Sequence, residues 1–182
     1  MTYVLDTNVF ITAQNCHYPF DVCPAFWDWL VVERKNNNVI SIHAVKDELR
    51  DDDIKRWVKA NPSFFDVNDD TYLKDIASWV NAEERFDDAH IAHFLKKADP
   101  RLISYAKVKG GVVVTHERPE PNSKKVKIPD VCKIFEVRCV SPFQMLADLK
   151  ARFILDRTPY KPQLPSGALL QQPLPIDINP TP

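Results

Sequence analysis

Short apolar runs, each ending in polar residues that favour caps and turns, recur along the chain at the spacing of alternating strands and helices. Tyr3-Val4-Leu5 predicts a strand, and Asp6-Thr7-Asn8 then starts a helix that continues through Val9-Phe10-Ile11. From Cys23 to Lys35, Phe26, Trp27, Leu30 and Val31 fall at helical spacing, with Pro24 where a missing N–H costs least. Asn36-Asn37-Asn38 breaks that helix, Val39 to Ile42 reads as a strand, and Val45 to Arg50 reads as the next helix.

Leu73, Ile76, Trp79 and Val80 share one face of a helix expected over 71–84. Asp87-Asp88 starts another helix, with Ile91, Phe94 and Leu95 inward, so an inserted helical pair is expected here. Asp99-Pro100 opens a further helix, with Asp99 as N-cap, which Gly110-Gly111 ends. Val112-Val113-Val114 is the continuous β-branched run of a strand covered on both faces. Residues 118–129 read as a loop, Ile134 to Val140 as a last strand, and Pro142 to Phe153 as a last helix.

Alternation of this kind predicts an α/β fold, a three-layer α/β/α sandwich around a parallel sheet. The expected division is one domain over 1–155 and a proline-rich extended tail over 156–182, because the chain beyond Asp156 carries seven prolines and no periodicity. No apolar run is long enough to span a bilayer and no export signal is evident, so a cytoplasmic protein without membrane contact is expected. Cys16, Cys23, Cys132 and Cys139 are spaced too widely for a zinc knuckle and read as free thiols or small buried hydrophobes. The Trp residues at positions 27, 29, 57 and 79 recur at helical spacing with other apolar residues, which predicts core packing.

Net charge is −1, so any polyanion site must be local. The candidate stretch runs from Lys96 and Lys97 to Lys127, with Arg101, Lys107, Lys109, Arg118, Lys124 and Lys125 as candidate RNA contacts.

Asp6 and Glu117 stand just beyond the carboxyl ends of predicted strands, where ligands bind in open parallel sheets. Glu48 and Asp99, on predicted helices, can point to the same edge. Asp47 or Asp51 competes with Glu48, and Asp130 competes with Glu117. Carboxylates gathered in one dry site repel one another unless a cation compensates them. An oxygen-only set suits Mg²⁺ or Mn²⁺ and points to phosphodiester hydrolysis. His90 and His93 read as one exposed helix face, and His116 as a bystander of Glu117.

The segments Val4-Leu5-Asp6-Thr7-Asn8-Val9-Phe10, Val45-Lys46-Asp47-Glu48-Leu49, Ala98-Asp99-Pro100-Arg101-Leu102-Ile103 and Val113-Val114-Thr115-His116-Glu117 resemble, in order, the motifs of PIN-domain ribonucleases. The resemblance covers residues 2 to 150 and is closest to a PIN-like subfamily outside the common toxin pattern. It implies an α/β/α sandwich and a Mg²⁺- or Mn²⁺-dependent endoribonuclease. It also implies frequent homodimerisation and kinship with VapC-like toxins that a small antitoxin holds inactive. By that resemblance Asp6, Glu48 and Asp99 are catalytic metal ligands, and Glu117 stands where the fourth acid is more usually Asp. Thr7, Asn8 and Thr115 would orient them. Two other readings stay open: a non-catalytic PIN-like interaction protein and a nuclease directed at DNA.

Overall fold

The structure is a computed structural model that describes residues 1–154, so the expected proline-rich tail lies outside the described residues. Five strands, β1 (Tyr3–Leu5), β2 (Val39–Ile42), β3 (Phe65–Asp66), β4 (Val112–Val114) and β5 (Arg138–Val140), form one parallel sheet in the order β3-β2-β1-β4-β5. Every residue of β1, β2 and β4 is buried, as strands covered on both faces must be. The result is the expected three-layer α/β/α sandwich.

Helices described here are α1 (Thr7–Thr12), α2 (Pro24–Lys35), α3 (His43–Glu48), α4 (Asp52–Ala60), α5 (Leu73–Ala82), α6 (Asp88–Lys96), α7 (Asp99–Lys109), α8 (Ile128–Ile134) and α9 (Pro142–Asp148). A π-helical turn, Ala13–His17, extends α1. No helix among the described residues is long and apolar enough to cross a membrane.

From β1 the chain crosses to β2 on one side, whereas from β4 it crosses to β5 on the other. The strand order therefore reverses between β1 and β4, which pair directly through Tyr3↔Val112, Val4↔Val113 and Leu5↔Val114. A crevice opens at the carboxyl ends of two neighbouring strands where their connections diverge. Gly110 ends α7 in the left-handed region at φ 60°, and Gly111 lets the chain pass β1 closely. A Cβ at Gly111 would lie 3.1 Å from both Thr2 O and Val4 Cγ2.

The structure corrects several element boundaries. The helix expected to Arg50 stops at Glu48, because Asp51 caps a separate helix by accepting from the Asp53 and Ile54 N–H groups. That helix, α4, and the two-residue β3 were not expected; α4 does carry a helical signal, with Ile54, Trp57 and Val58 at i, i+3 and i+4 behind the Asp51 cap, whereas the Phe65-Asp66 edge strand is too short to show a period. Residues 128–134 form α8, where the loop was expected to run to Pro129 and the strand to begin at Ile134, with Ile128, Val131 and Cys132 buried at helical spacing and Pro129 in the first turn. The last strand is only Arg138–Val140, and α9 ends at Asp148, five residues short of Phe153. Ala98 is the N-cap of α7, so Asp99 is its first helical residue and not its cap.

All four cysteines are free, as expected: Cys132 is a small buried hydrophobe, whereas Cys16 is an exposed thiol. The Trp residues pack as expected. Trp27 is buried and donates through Nε1 to Tyr18 O at 2.8 Å, while Trp29, Trp57 and Trp79 are partly buried against the core.

Candidate active site

Four short segments deliver the acids. Asp6 is the residue after β1 and the N-cap of α1, Glu48 ends α3, Asp99 begins α7, and Glu117 lies three residues beyond β4. All four line one cavity of about 570 Å³ at the β1/β4 divergence, with Thr7 and Asn8 beside them. Asp130 is not on this wall; it is buried 3.9 Å from Arg85. Asp51 is occupied in capping α4, and Asp47 lies on a different cavity.

Hydroxyl and amide groups hold three of the acids in place. Asp6 Oδ1 accepts from the Thr7 N–H at 2.6 Å and Oδ2 from the Thr115 hydroxyl at 2.8 Å. Glu48 accepts from the Thr7 hydroxyl at 2.6 Å and from the Ala98 N–H at 2.9 Å, which ties the end of α3 to the starts of α1 and α7. Glu117 accepts from the Ile128 N–H at 2.8 Å, and its own N–H donates to the Thr115 hydroxyl at 3.1 Å. Asn8 reaches across from α1 and accepts the His116 N–H at 3.1 Å. Asn8 and Thr115 thus join the ends of β1 and β4, while Thr7 joins the β1 end to Glu48.

The acids feel one another. Asp6 is 2% exposed, and burial pushes its carboxyl up to about 7; Glu117 and Glu48 push the same way, against the hydrogen bonds from Thr115 and Thr7. Burial also raises Asp99 well above the carboxylate range, helped by the charges of Asp6, Glu117 and Glu48 and only partly offset by Lys97. Among the influences on Asp99 there is no hydrogen bond, so its charged form is left to the field of the other acids and one lysine. Among the described residues no three His, Cys, Asp or Glu side chains stand close enough together to hold a metal ion as they are. The donor chemistry nonetheless fits a hard divalent cation: an oxygen-only set in which the pKa values of the buried Asp6 and the half-buried Asp99 are both raised, a shift that positive charge would oppose.

The cationic wall differs from the expected one. Of the six anticipated RNA contacts only Lys125 lines the cavity, where Lys97 and Lys127 join it. Arg101 pairs with Asp70 at 3.5 Å, Lys107 with Glu136 at 3.4 Å and Lys124 with Asp87 at 3.7 Å, and Arg118 is exposed off the wall. Lys109 lies over the Tyr105 ring at the far end of α7, about 15 Å along the helix from Asp99. His90, His93 and Phe94 also line the cavity, one face of α6 at i, i+3 and i+4. The histidines were set aside in the sequence; their place on the wall follows from α6 packing over the sheet edge, which no local pattern shows. The His116 ring turns away from the acids and clusters with His17 at 5.6 Å and Phe143 at 6.3 Å, where burial and then His17 lower its pKa.

Residues 3–153 match the profile of a family described as Domain of unknown function (DUF4411). No curated protein and no solved structure matches the chain.

Proposed function

The chain thus belongs to the DUF4411 family, whose description assigns no activity, and we propose from the site itself that it is a metal-dependent ribonuclease of PIN type. The observation that carries this reading is the meeting of Asp6, Glu48, Asp99 and Glu117, from four separate segments, in one cavity where the strand order reverses. One buried and three half-buried carboxyls gathered in this way cost folding energy, and a site that serves charge is a reason to retain them.

Those four residues would hold Mg²⁺ or Mn²⁺, which when bound supplies the Lewis acidity that phosphodiester hydrolysis needs. The chain's own groups do the rest. Thr115 and Thr7 fix the Asp6 carboxylate plane, and Thr7 also orients Glu48, so two ligands from different elements share one positioning hydroxyl residue. Lys97, Lys125 and Lys127 line the same cavity, Lys127 within 3.9 Å of Glu120, and would bind the phosphates of the strand on either side of the cut. Burial and the neighbouring acids raise Asp6 to about 7 and push Asp99 well above the ordinary carboxylate value, so a cation that binds them displaces protons.

A cytoplasmic location, homodimerisation and the role of toxin in a bacterial toxin–antitoxin pair belong to this reading through the PIN-like resemblance. DNA is the alternative substrate for the same acids. The test is cleavage of total RNA with added Mn²⁺, wild type against Asp6→Asn and against a chelator control. Cleavage that is lost in both controls supports the enzyme; cleavage undiminished in Asp6→Asn refutes this site.

One observation favours a second reading, a non-catalytic interaction protein. Glu48 and Glu117 already accept hydrogen bonds from the protein, an arrangement that suits a closed polar cluster as well as an open one. Calorimetric titration separates the two: no Mn²⁺ or Mg²⁺ uptake supports the interaction protein, and uptake abolished by Asp99→Asn supports the enzyme.

A further inference from the structure

A second cavity, of about 650 Å³, lies against the other side of the segment that carries Glu48. Its rim is Lys46, Arg50, Lys55 and Lys59 over a floor that includes Leu49 and Val58, and Asp47 is the single carboxylate on the wall. Four cations against one anion is a local excess in a chain whose net charge is −1. The only ion pair on this rim among the described residues joins Lys55 to the exposed Asp52 at 3.3 Å. Lys46, Arg50 and Lys59 have no carboxylate within 4.0 Å among the described residues.

The local fold creates this concentration. The chain leaves α3 in an extended conformation at Leu49, which is buried, and this throws Arg50 outward before Asp51 starts α4. On α4, Lys55 and Lys59 stand four residues apart on the face that includes Val58. Like charges at that spacing repel. The arrangement lowers its energy when an anion with several charges enters.

The position says which anion. Glu48 lines the acid cavity, Leu49 and Arg50 line the cationic one, and two peptide units separate the Cα atoms of Glu48 and Arg50 by at most about 7.6 Å. A strand that leaves the acid cavity over the end of α3 meets the cationic cavity within a few nucleotides. Resting on the nuclease reading, we infer that Lys46, Arg50, Lys55 and Lys59 bind the phosphate backbone of the single-stranded RNA substrate away from the scissile bond. The cations grip phosphates and carry no base code, so the site adds affinity and register without sequence preference.

Fluorescence anisotropy with a fluorescein-labelled single-stranded RNA of mixed sequence, in EDTA so that nothing is cut, tests the site across a salt series. The double variant Arg50→Gln/Lys59→Gln is expected to bind about tenfold more weakly at low salt and to flatten the log–log salt slope by about 1.4, the share of two phosphate contacts. Arg50→Lys/Lys59→Arg, which keeps the charge, is expected to stay within about twofold of wild type. A control that removes equal charge elsewhere, Lys35→Gln/Lys133→Gln, is expected to keep the wild-type slope. A slope equal to that of the control overturns the inference. So does labelled polyglutamate binding to the wild type where RNA does not, which would give the cavity to an acidic peptide. Binding is read without cleavage, so this inference and the nuclease reading fail separately: cleavage lost in Asp6→Asn with an unchanged slope in the double variant removes only the second cavity.

Discussion

The two faces of α1 look into opposite chemical worlds. One face sends Phe10 into an aromatic cluster, its ring centroid 5.9 Å from those of Phe64 and Phe65 and 6.0 Å from Trp57. The other face presents Thr7, Asn8 and Ile11 to the acid cavity. The aromatic side repays ordering with buried apolar area and edge-to-face contacts. The acid side buries Asp6 and much of Asp99 with fewer compensating groups than ionised carboxyls require. One short helix therefore couples a region that holds the fold together to a region that strains it, and substitutions on its two faces should act in opposite ways.

The largest effect is expected on chemistry. Asp6→Asn keeps the shape of the side chain and removes its charge, and single-turnover cleavage with Mn²⁺ is expected to fall by at least a thousandfold, about 4 kcal/mol of barrier. Residual cleavage within tenfold of wild type would remove Asp6 from the reaction and with it the contrast between the two faces.

Next comes the aromatic face. Phe10 is fully buried, and Phe10→Ala should cost about 3 to 5 kcal/mol in urea unfolding, the range for an aromatic side chain deleted from a packed core. A loss under about 1 kcal/mol would mean that the cluster collapses around the gap and is not the anchor of α1.

The sequence made these two regions legible to different degrees. Val112 to Val114 and Tyr3 to Leu5 declare buried strands because consecutive β-branched and apolar residues leave no solvent face, and Asp6 follows one of them directly. Asp99 was found through its order among the motifs, while its exact place, first helical residue and not cap, needed the backbone. The lysines were misjudged for a physical reason. Arg101, Lys107 and Lys109 are carried by α7 to partners off the cavity wall, and the places of Arg118, Lys124 and Lys125 depend on how residues 118–127 fold back over the sheet edge, held by Asp87 N–H to Lys124 O at 3.2 Å and by the Arg85 guanidinium on Pro121 O. Such long-range contacts leave no period in the chain, and neither does the pairing of β3 through two residues.

The third prediction reverses the sign of the usual core substitution. Asp6 titrates at about 7 in the folded protein against 3.8 as the ordinary value. Below 3.8 both folded and unfolded chains hold the proton. Between 3.8 and about 7 the unfolded chain releases it and the folded one does not, so stability falls as pH rises through that window and levels off above it. Asp99 shifts in the same direction. Metal-free Asp6→Asn, which escapes this penalty, is expected to exceed wild type in stability by roughly 1 to 3 kcal/mol at pH 8 and to match it more nearly at pH 4. Urea titrations at the two pH values in EDTA check it. An Asn variant less stable than wild type at pH 8 would show that the hydrogen bonds from Thr115 and Thr7 outweigh the burial of charge.

The smallest expected effect isolates one of those bonds. Thr115 is 1% exposed, donates to Asp6 Oδ2 and accepts the Glu117 N–H, so it links two acids through a single oxygen. Thr115→Val keeps the volume and β-branching and removes that oxygen. Asp6 then loses the influence that most lowers its pKa, and its carboxyl should rise further above about 7. Mn²⁺ affinity by calorimetry is expected to drop about tenfold at pH 7 and to recover partly at pH 8, where deprotonation costs less. Thr115→Ser restores the oxygen and should restore affinity. An equal loss at both pH values would assign the hydroxyl to holding the β1 and β4 ends in register and not to setting the charge of Asp6.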